Sequence, residues 1–283
     1  MNRIRKCIVG AIVVALTGAA ARGQSGVAPE PSKELSAQTA KTANEVASPL
    51  LTEKVLTEKA LSEKAADENT SEIKSRTPVI VVGFTGGFVA RDNKVHSPVQ
   101  IADRLKQGNP QGVYVEVFEN RRREEAHLKI LKLLGSAHNG KPTNDEKRRA
   151  QIIIYGMSWG GSETVALARE LEAEQIPVLL TVQVDSVAKF GEKDEVIPGN
   201  VGEAANFFQM DGLLHGQTKI RAADEKKTKI LGNFRMEYKK KSVATEKYPW
   251  WDRAFVKYHT EIEADPEVWN RVQELIQGKL PGS

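Results

Sequence analysis

Residues 151–174 read QIIIYGMSWGGSETVALARELEAE. Behind a glutamine, Ile152 to Tyr155 are four β-branched or aromatic apolar residues, and Ser162 to Glu174 carries apolar residues at helical spacing. A buried strand therefore runs straight into a helix through Gly156-Met157-Ser158-Trp159-Gly160. The G-x-S-x-G pattern alone is a weak signal in a chain with 22 glycines. Its position between strand and helix gives it weight. A sharp strand-to-helix turn brings the two elements close at its shoulders, where a Cβ would collide, and it pushes the serine hydroxyl out at the sheet edge. Gly156, Gly160 and Gly161 leave that room.

Working outward, apolar runs and helical patterns alternate. Val79 to Val82 precedes a helix at Val99 to Lys106, and Val113 to Phe118 precedes one at Arg121 to Leu134. After the central unit, Pro177 to Val184 makes a fourth strand. Nearly continuous apolar strands separated by helices predict a mostly parallel sheet flanked by helices, an α/β fold. Past Asp185 the pattern weakens. Residues 186–226 read as glycine- and proline-punctuated loops around short apolar pieces such as Ala204 to Phe208. Ile230 to Tyr238 reads as a strand interrupted by Gly232 and Asn233. Pro266 to Gln277 predicts a terminal helix, with Asp265 as N-cap and Val268, Val272, Leu275 and Ile276 on one face.

A serine hydroxyl is too weak an acid to attack an ester without a base to take its proton and an acid to orient that base. Asp185, at the carboxyl end of the strand after the serine, would sit on the same sheet edge. Five histidines are candidates for the base. His96, His127 and His138 precede the serine; His215 and His259 follow it. Trp159, directly after Ser158, would offer one backbone N–H to an oxyanion.

Taken together, PVIVVGFTGGF (Pro78 to Phe88), IIIYGMSWGG (Ile152 to Gly161), an Asp ending the next strand and a His before the final helix resemble the α/β-hydrolase superfamily of serine esterases, lipases and thioesterases. The resemblance spans the folded body in the chain order Ser, Asp, His. It implies Ser158 as nucleophile, Asp185 as acid, in the manner of thioesterase domains, and His259 as base, with His215 as the rival. It also implies a second oxyanion donor from the glycine-rich turn after the first strand, assigned to Phe84. Val82 stands where the superfamily commonly has a histidine. The implied activity is hydrolysis of a carboxylic ester or thioester through an acyl-Ser158 intermediate, on a small-molecule or lipid-like acyl substrate. A non-catalytic binding protein of the cell envelope and an acyltransferase are the alternatives. Aromatics such as Phe207, Phe208, Trp250 and Trp251 are candidates for lining the substrate pocket or for packing in the core.

The N-terminus carries an address. Arg3, Arg5 and Lys6 precede an apolar stretch from Cys7 to Ala21, too short to span a bilayer with ease. Ala21 and Gly23 fit a signal-peptidase cut before Gln24. Residues 1–23 are therefore expected to be a signal peptide, or a membrane tether if uncleaved, with the body exported to a periplasm or beyond. Residues 24–76 contain no aromatic residue, and LTEKV, LTEKA and LSEKA repeat from Leu51 to Ala65. A five-residue period fits no helical seam, so this stretch is expected to be a disordered charged spacer. The folded domain is residues 77–283.

Without the leader, Lys plus Arg falls from 41 to 37 against 37 acids, so nothing in the net charge points to nucleic acid. The single cysteine, Cys7, is in the leader, which excludes disulfides and thiolate sites from the mature body. No spacing suggests a metal, and no cofactor is expected. Gly135 to Pro142 mimics a phosphate-binding loop but ends in proline and follows a helix. The runs Arg121 to Arg123 and Lys239 to Lys241 read as solvated faces.

Overall fold

The computed structural model describes residues 78–108 and 112–281. The expected signal peptide and the charged repeat segment lie outside the described residues. The elements are β1 (Val79–Thr85), α1 (Ser97–Gly108), β2 (Val113–Glu119), α2 (Arg123–Leu134), α3 (Asn144–Arg148), β3 (Gln151–Met157), α4 (Trp159–Ala173) and β4 (Val178–Val184). They continue with β5 (Val196–Ile197), β6 (Val201–Gln209), β7 (Arg221–Ala222), β8 (Lys229–Met236), α5 (Trp250–Phe255), α6 (Lys257–Ala264) and α7 (Pro266–Gln277). A six-stranded sheet has the order β2-β1-β3-β4-β6-β8, and every pairing in it is parallel; β5 and β7 form a small separate ribbon.

The period-2 alternation of strand side chains explains the layers. Val79 and Val81 of β1 and Ile153 and Tyr155 of β3 face α1 and α7, meeting Ile101, Leu105, Val268, Trp269 and Val272. Ile80, Val82 and Phe84, with Ile152 and Ile154, face α2 and α4, meeting Ile130, Val165, Leu167 and Leu171. Each fully buried aliphatic side chain of this kind stabilises the fold by roughly 1.5–3 kcal/mol. Because both faces are covered, the strands read as continuous apolar runs. Tyr155 fits in that setting because its hydroxyl donates to Pro98 O at 2.8 Å.

Two elements differ from the sequence reading. Residues 201–209, read as loop, form a nine-residue strand inside the sheet. The expected interruption of the last strand takes the form of an irregularity directly before Gly232: Ala204 pairs with Ile230 and Ala205 with Gly232, so Leu231 is skipped while β8 continues through Asn233. Asn233 is polar because it ties the preceding loop to the sheet: its Oδ1 accepts from Ile220 N at 2.7 Å and from Asn206 Nδ2 at 3.3 Å. Gly232 leaves space for the Phe234 ring, whose Cζ would lie 2.4 Å from an added Cβ. Phe207 packs in the core with its ring centre 5.0 Å from that of Phe234, and Phe208 is also buried.

Candidate active site

At the junction of β3 and α4, Ser158 has φ 57° and ψ −124°. A non-glycine residue adopts such a backbone only where its surroundings enforce it, at a cost of roughly 1–3 kcal/mol. The enforcing contacts are visible. Ser158 N donates to Val184 O at 3.0 Å, and Ser158 O accepts from Val187 N at 3.0 Å and Gly161 N at 2.9 Å. The elbow glycines are needed where expected. A Cβ on Gly156 would stand 2.2 Å from Gly160 O, and one on Gly160 would stand 2.5 Å from Phe84 O.

Asp185 follows β4 directly and is fully buried, with φ 40°. A buried carboxylate needs its lone pairs occupied. Asp185 Oδ1 accepts from Gly216 N at 2.8 Å and Gln209 N at 3.2 Å; Oδ2 accepts from Gln209 Nε2 at 2.9 Å and bonds His259 Nδ1 at 2.7 Å. Gln209 ends β6, the strand that sequence reasoning missed, and Gly216 has no room for a Cβ beside Asp185.

His259 lies in α6, a separate helix ahead of α7. Burial disfavours its charged form, but the hydrogen bond and charge of Asp185, with Glu263 and Asp252 nearby, outweigh that and raise its pKa above the ordinary histidine value. Glu263 is itself held, since its Oε1 meets His96 Nδ1 at 2.7 Å and its carbonyl accepts from Ser97 Oγ at 2.6 Å. His215 points elsewhere. Its Nδ1 meets Gly216 O at 2.9 Å, while the Gly216 N–H is the group that reaches Asp185. His138 pairs with Glu146 and His127 with Glu174. The structure thus joins Asp185 to His259 and leaves the other four histidines with different partners.

The assignment of Phe84 as an oxyanion donor is corrected. Phe84 is an interior residue of β1, paired with Phe118 on one side and Gly156 on the other, so its N–H belongs to the sheet ladder. The turn that stands over the serine comes two residues later. A Cβ on Gly86 would lie 3.0 Å from Ser158 Cβ and 3.7 Å from its Oγ. This turn is fixed by Thr85 Oγ1 donating to Val89 O at 2.8 Å, Val89 N donating to Gly86 O at 3.1 Å and Asn120 Nδ2 donating to Gly87 O. Phe88 at its tip packs edge-on against Trp159, 5.7 Å between ring centres. Trp159 is the first residue of α4, where the N–H has no intrahelical carbonyl to bond.

Charge pairing beside the turn was not foreseen. Glu163, one turn into α4, is buried and meets Arg123 Nη1 and Lys189 Nζ, each at 2.5 Å. Arg123 also reaches Glu170 and Glu192, so it is part of a packed ion network and not of a solvated face. An open polar cavity of about 500 Å³ lies among Asn120, Arg123, His127, Glu163 and Lys189. A lone Glu inside a helical pattern carries no sequence signal that it will be buried with cations from distant segments.

No group of His, Cys, Asp and Glu among the described residues is arranged to hold a metal ion. No protein-family model matches the sequence, and no curated protein matches it. Solved structures similar to the chain include an esterase/lipase from an uncultured bacterium, at 10% identity and TM-score 0.40, covering 72% of this chain and 78% of that one. A hyperthermophilic esterase from the archaeon Pyrobaculum calidifontis is similar at 12% identity and TM-score 0.39, covering 72% and 77%. Est1E from Butyrivibrio proteoclasticus is similar at 10% identity and TM-score 0.33, covering 73% and 90%. The chain is an α/β fold, a parallel sheet flanked by helices that turns at a strained serine.

Proposed function

We propose that the protein is a serine hydrolase that cleaves a carboxylic ester or thioester through an acyl-Ser158 intermediate. The observation that carries this reading is the strained Ser158 backbone at the β3–α4 turn, on the same sheet edge as the 2.7 Å Asp185–His259 pair.

In this mechanism Asp185 accepts from His259 Nδ1 and fixes the tautomer that leaves Nε2 unprotonated. Nε2 takes the Ser158 proton as Oγ attacks the acyl carbon, and the carbonyl oxygen becomes an oxyanion. The Trp159 N–H and N–H groups of the turn at Gly86 to Phe88 stabilise that charge. His259 then protonates the leaving alcohol or thiol, which departs as the C–O or C–S bond breaks. Water, deprotonated by the same nitrogen, attacks the acyl carbon, and His259 returns the proton to Ser158 Oγ as the bond to serine breaks and the acid is released. Incubation with a fluorophosphonate followed by peptide mass spectrometry tests the reading, beside a chain-length panel of acyl esters and thioesters. We expect one adduct on the Ser158 peptide and turnover of at least one acyl series; labelling elsewhere alone would exclude the nucleophile.

The raised His259 pKa sets a pH dependence with a definite sign. The base works only as neutral imidazole, so kcat/KM should rise with pH through a midpoint above the ordinary value of about 6.5. The folded protein favours the imidazolium, so this residue's stabilisation is present below about 6.5 and fades as pH rises through the raised value. Activity and this increment of stability therefore move in opposite directions. A midpoint at or below 6.5 in the kcat/KM profile would contradict the electrostatic reading of the site.

A further inference from the structure

The segment from Lys247 to Lys257 has an inverted polarity. In α5 the side chains turned to solvent are Trp250, Trp251, Arg253, Ala254 and Phe255. Trp250 is 62% exposed, Trp251 40% and Phe255 72%, and the rings cluster together, Trp250 being 5.9 Å from Trp251 and 6.3 Å from Phe255. Lys247 and Lys257 are exposed at either end of the segment, which contains no exposed acid. Its one carboxylate, Asp252, is turned away from solvent, where burial pushes its pKa up. The neighbouring loop adds exposed Met210 and Leu213, and its Gly212 lies against Tyr258.

Three large aromatic side chains left in water on one and a half turns of helix need an occupant. A stable protein partner requires about 800 Å² per side, more than so short a helix presents. A protruding cluster of Trp and Phe, with Lys247, Arg253 and Lys257 exposed beside it against the single exposed acid Glu246, instead matches the boundary between lipid headgroups and acyl chains. There the rings enter the interface and the cations meet phosphate. We propose that α5 and its basic flanks dock the protein on an anionic lipid surface. The helix leads directly into α6, which carries His259, so a docked protein presents the candidate active site close to the membrane. This binding does not depend on the hydrolase reading.

The test uses the full chain and vesicles of phosphatidylcholine, alone or mixed with phosphatidylglycerol. Tryptophan emission should shift to the blue with the anionic vesicles, and the protein should sediment with them. Lys247, Arg253 and Lys257 each add about fivefold near an anionic surface, so neutral vesicles should bind about a hundredfold more weakly, and salt should narrow the gap. Trp250→Ser with Trp251→Ser and Phe255→Ser should abolish binding while leaving the far-ultraviolet circular dichroism spectrum unchanged. In the unmutated protein, lipids brominated high on the acyl chain should quench the emission, a readout that does not depend on the variant's folding. Equal binding to both vesicle types, no binding, or absent quenching overturns the proposal. So does a dimer in lipid-free buffer that the triple substitution dissolves, since a second copy would then be the occupant.

Discussion

Ser158→Ala should lower kcat by about 10⁵–10⁶ while the protein keeps its fold. The oxygen lost is the one that forms the covalent bond, and no other described hydroxyl is held at a strained turn over a glycine of a neighbouring loop. Stability should change little. The side chain carries no cap hydrogen bond in α4, and the elbow is held by backbone bonds that alanine keeps. Alanine tolerates the φ of 57° no better than serine, so the strain persists and the change isolates chemistry from folding. A residual rate above water, about 10³-fold, should survive from the oxyanion donors and binding alone. Purified variant assayed on the best ester of the panel, with circular dichroism as the folding control, checks both halves. Full activity in a folded Ser158→Ala protein would remove the acyl-enzyme mechanism.

The elbow was legible because it is local: strand, glycine-flanked serine and helix are consecutive, and each rests on propensities readable within a few residues. The same holds for β1 to β4, whose double burial writes continuous apolar runs, and for α7, with its Asp265 cap and Pro266 start. β6 was not legible. Its Asn206 and Gln209 are buried polar residues that serve partners far away in sequence, Asn206 the loop at Gln217 and Gln209 the Asp185 carboxylate. A strand that holds a site together loses the apolar signature by which strands are found. The turn over Ser158 was misplaced for a related reason, because where a strand ends depends on its neighbours. Pairing to Thr85 carries β1 past Phe84 and moves the turn to Gly86.

The second large effect concerns the base and acid. His259→Ala should lower kcat by about as much as Ser158→Ala, and the double variant should lose little more, because both changes remove one shared proton transfer. Asp185→Asn should lose less, about 10⁴. An amide that keeps its oxygen toward Gly216 N and Gln209 N turns an NH₂ toward Gln209 Nε2 and His259 Nδ1, setting donors against donors. The opposite flip moves the clash to the backbone amides of Gln209 and Gly216. Either way His259 adopts the wrong tautomer or swings out, and a buried network of hydrogen bonds is left unsatisfied, so Asp185→Asn should also lower the melting temperature. His215→Ala separates the two candidate bases. Its ring meets only the carbonyl of the next residue, so its removal should change kcat by less than tenfold. Steady-state kinetics of the four single variants and the Ser158/His259 pair decide the matter. Loss of turnover in His215→Ala with near-normal rates in His259→Ala would move the base to the loop after β6.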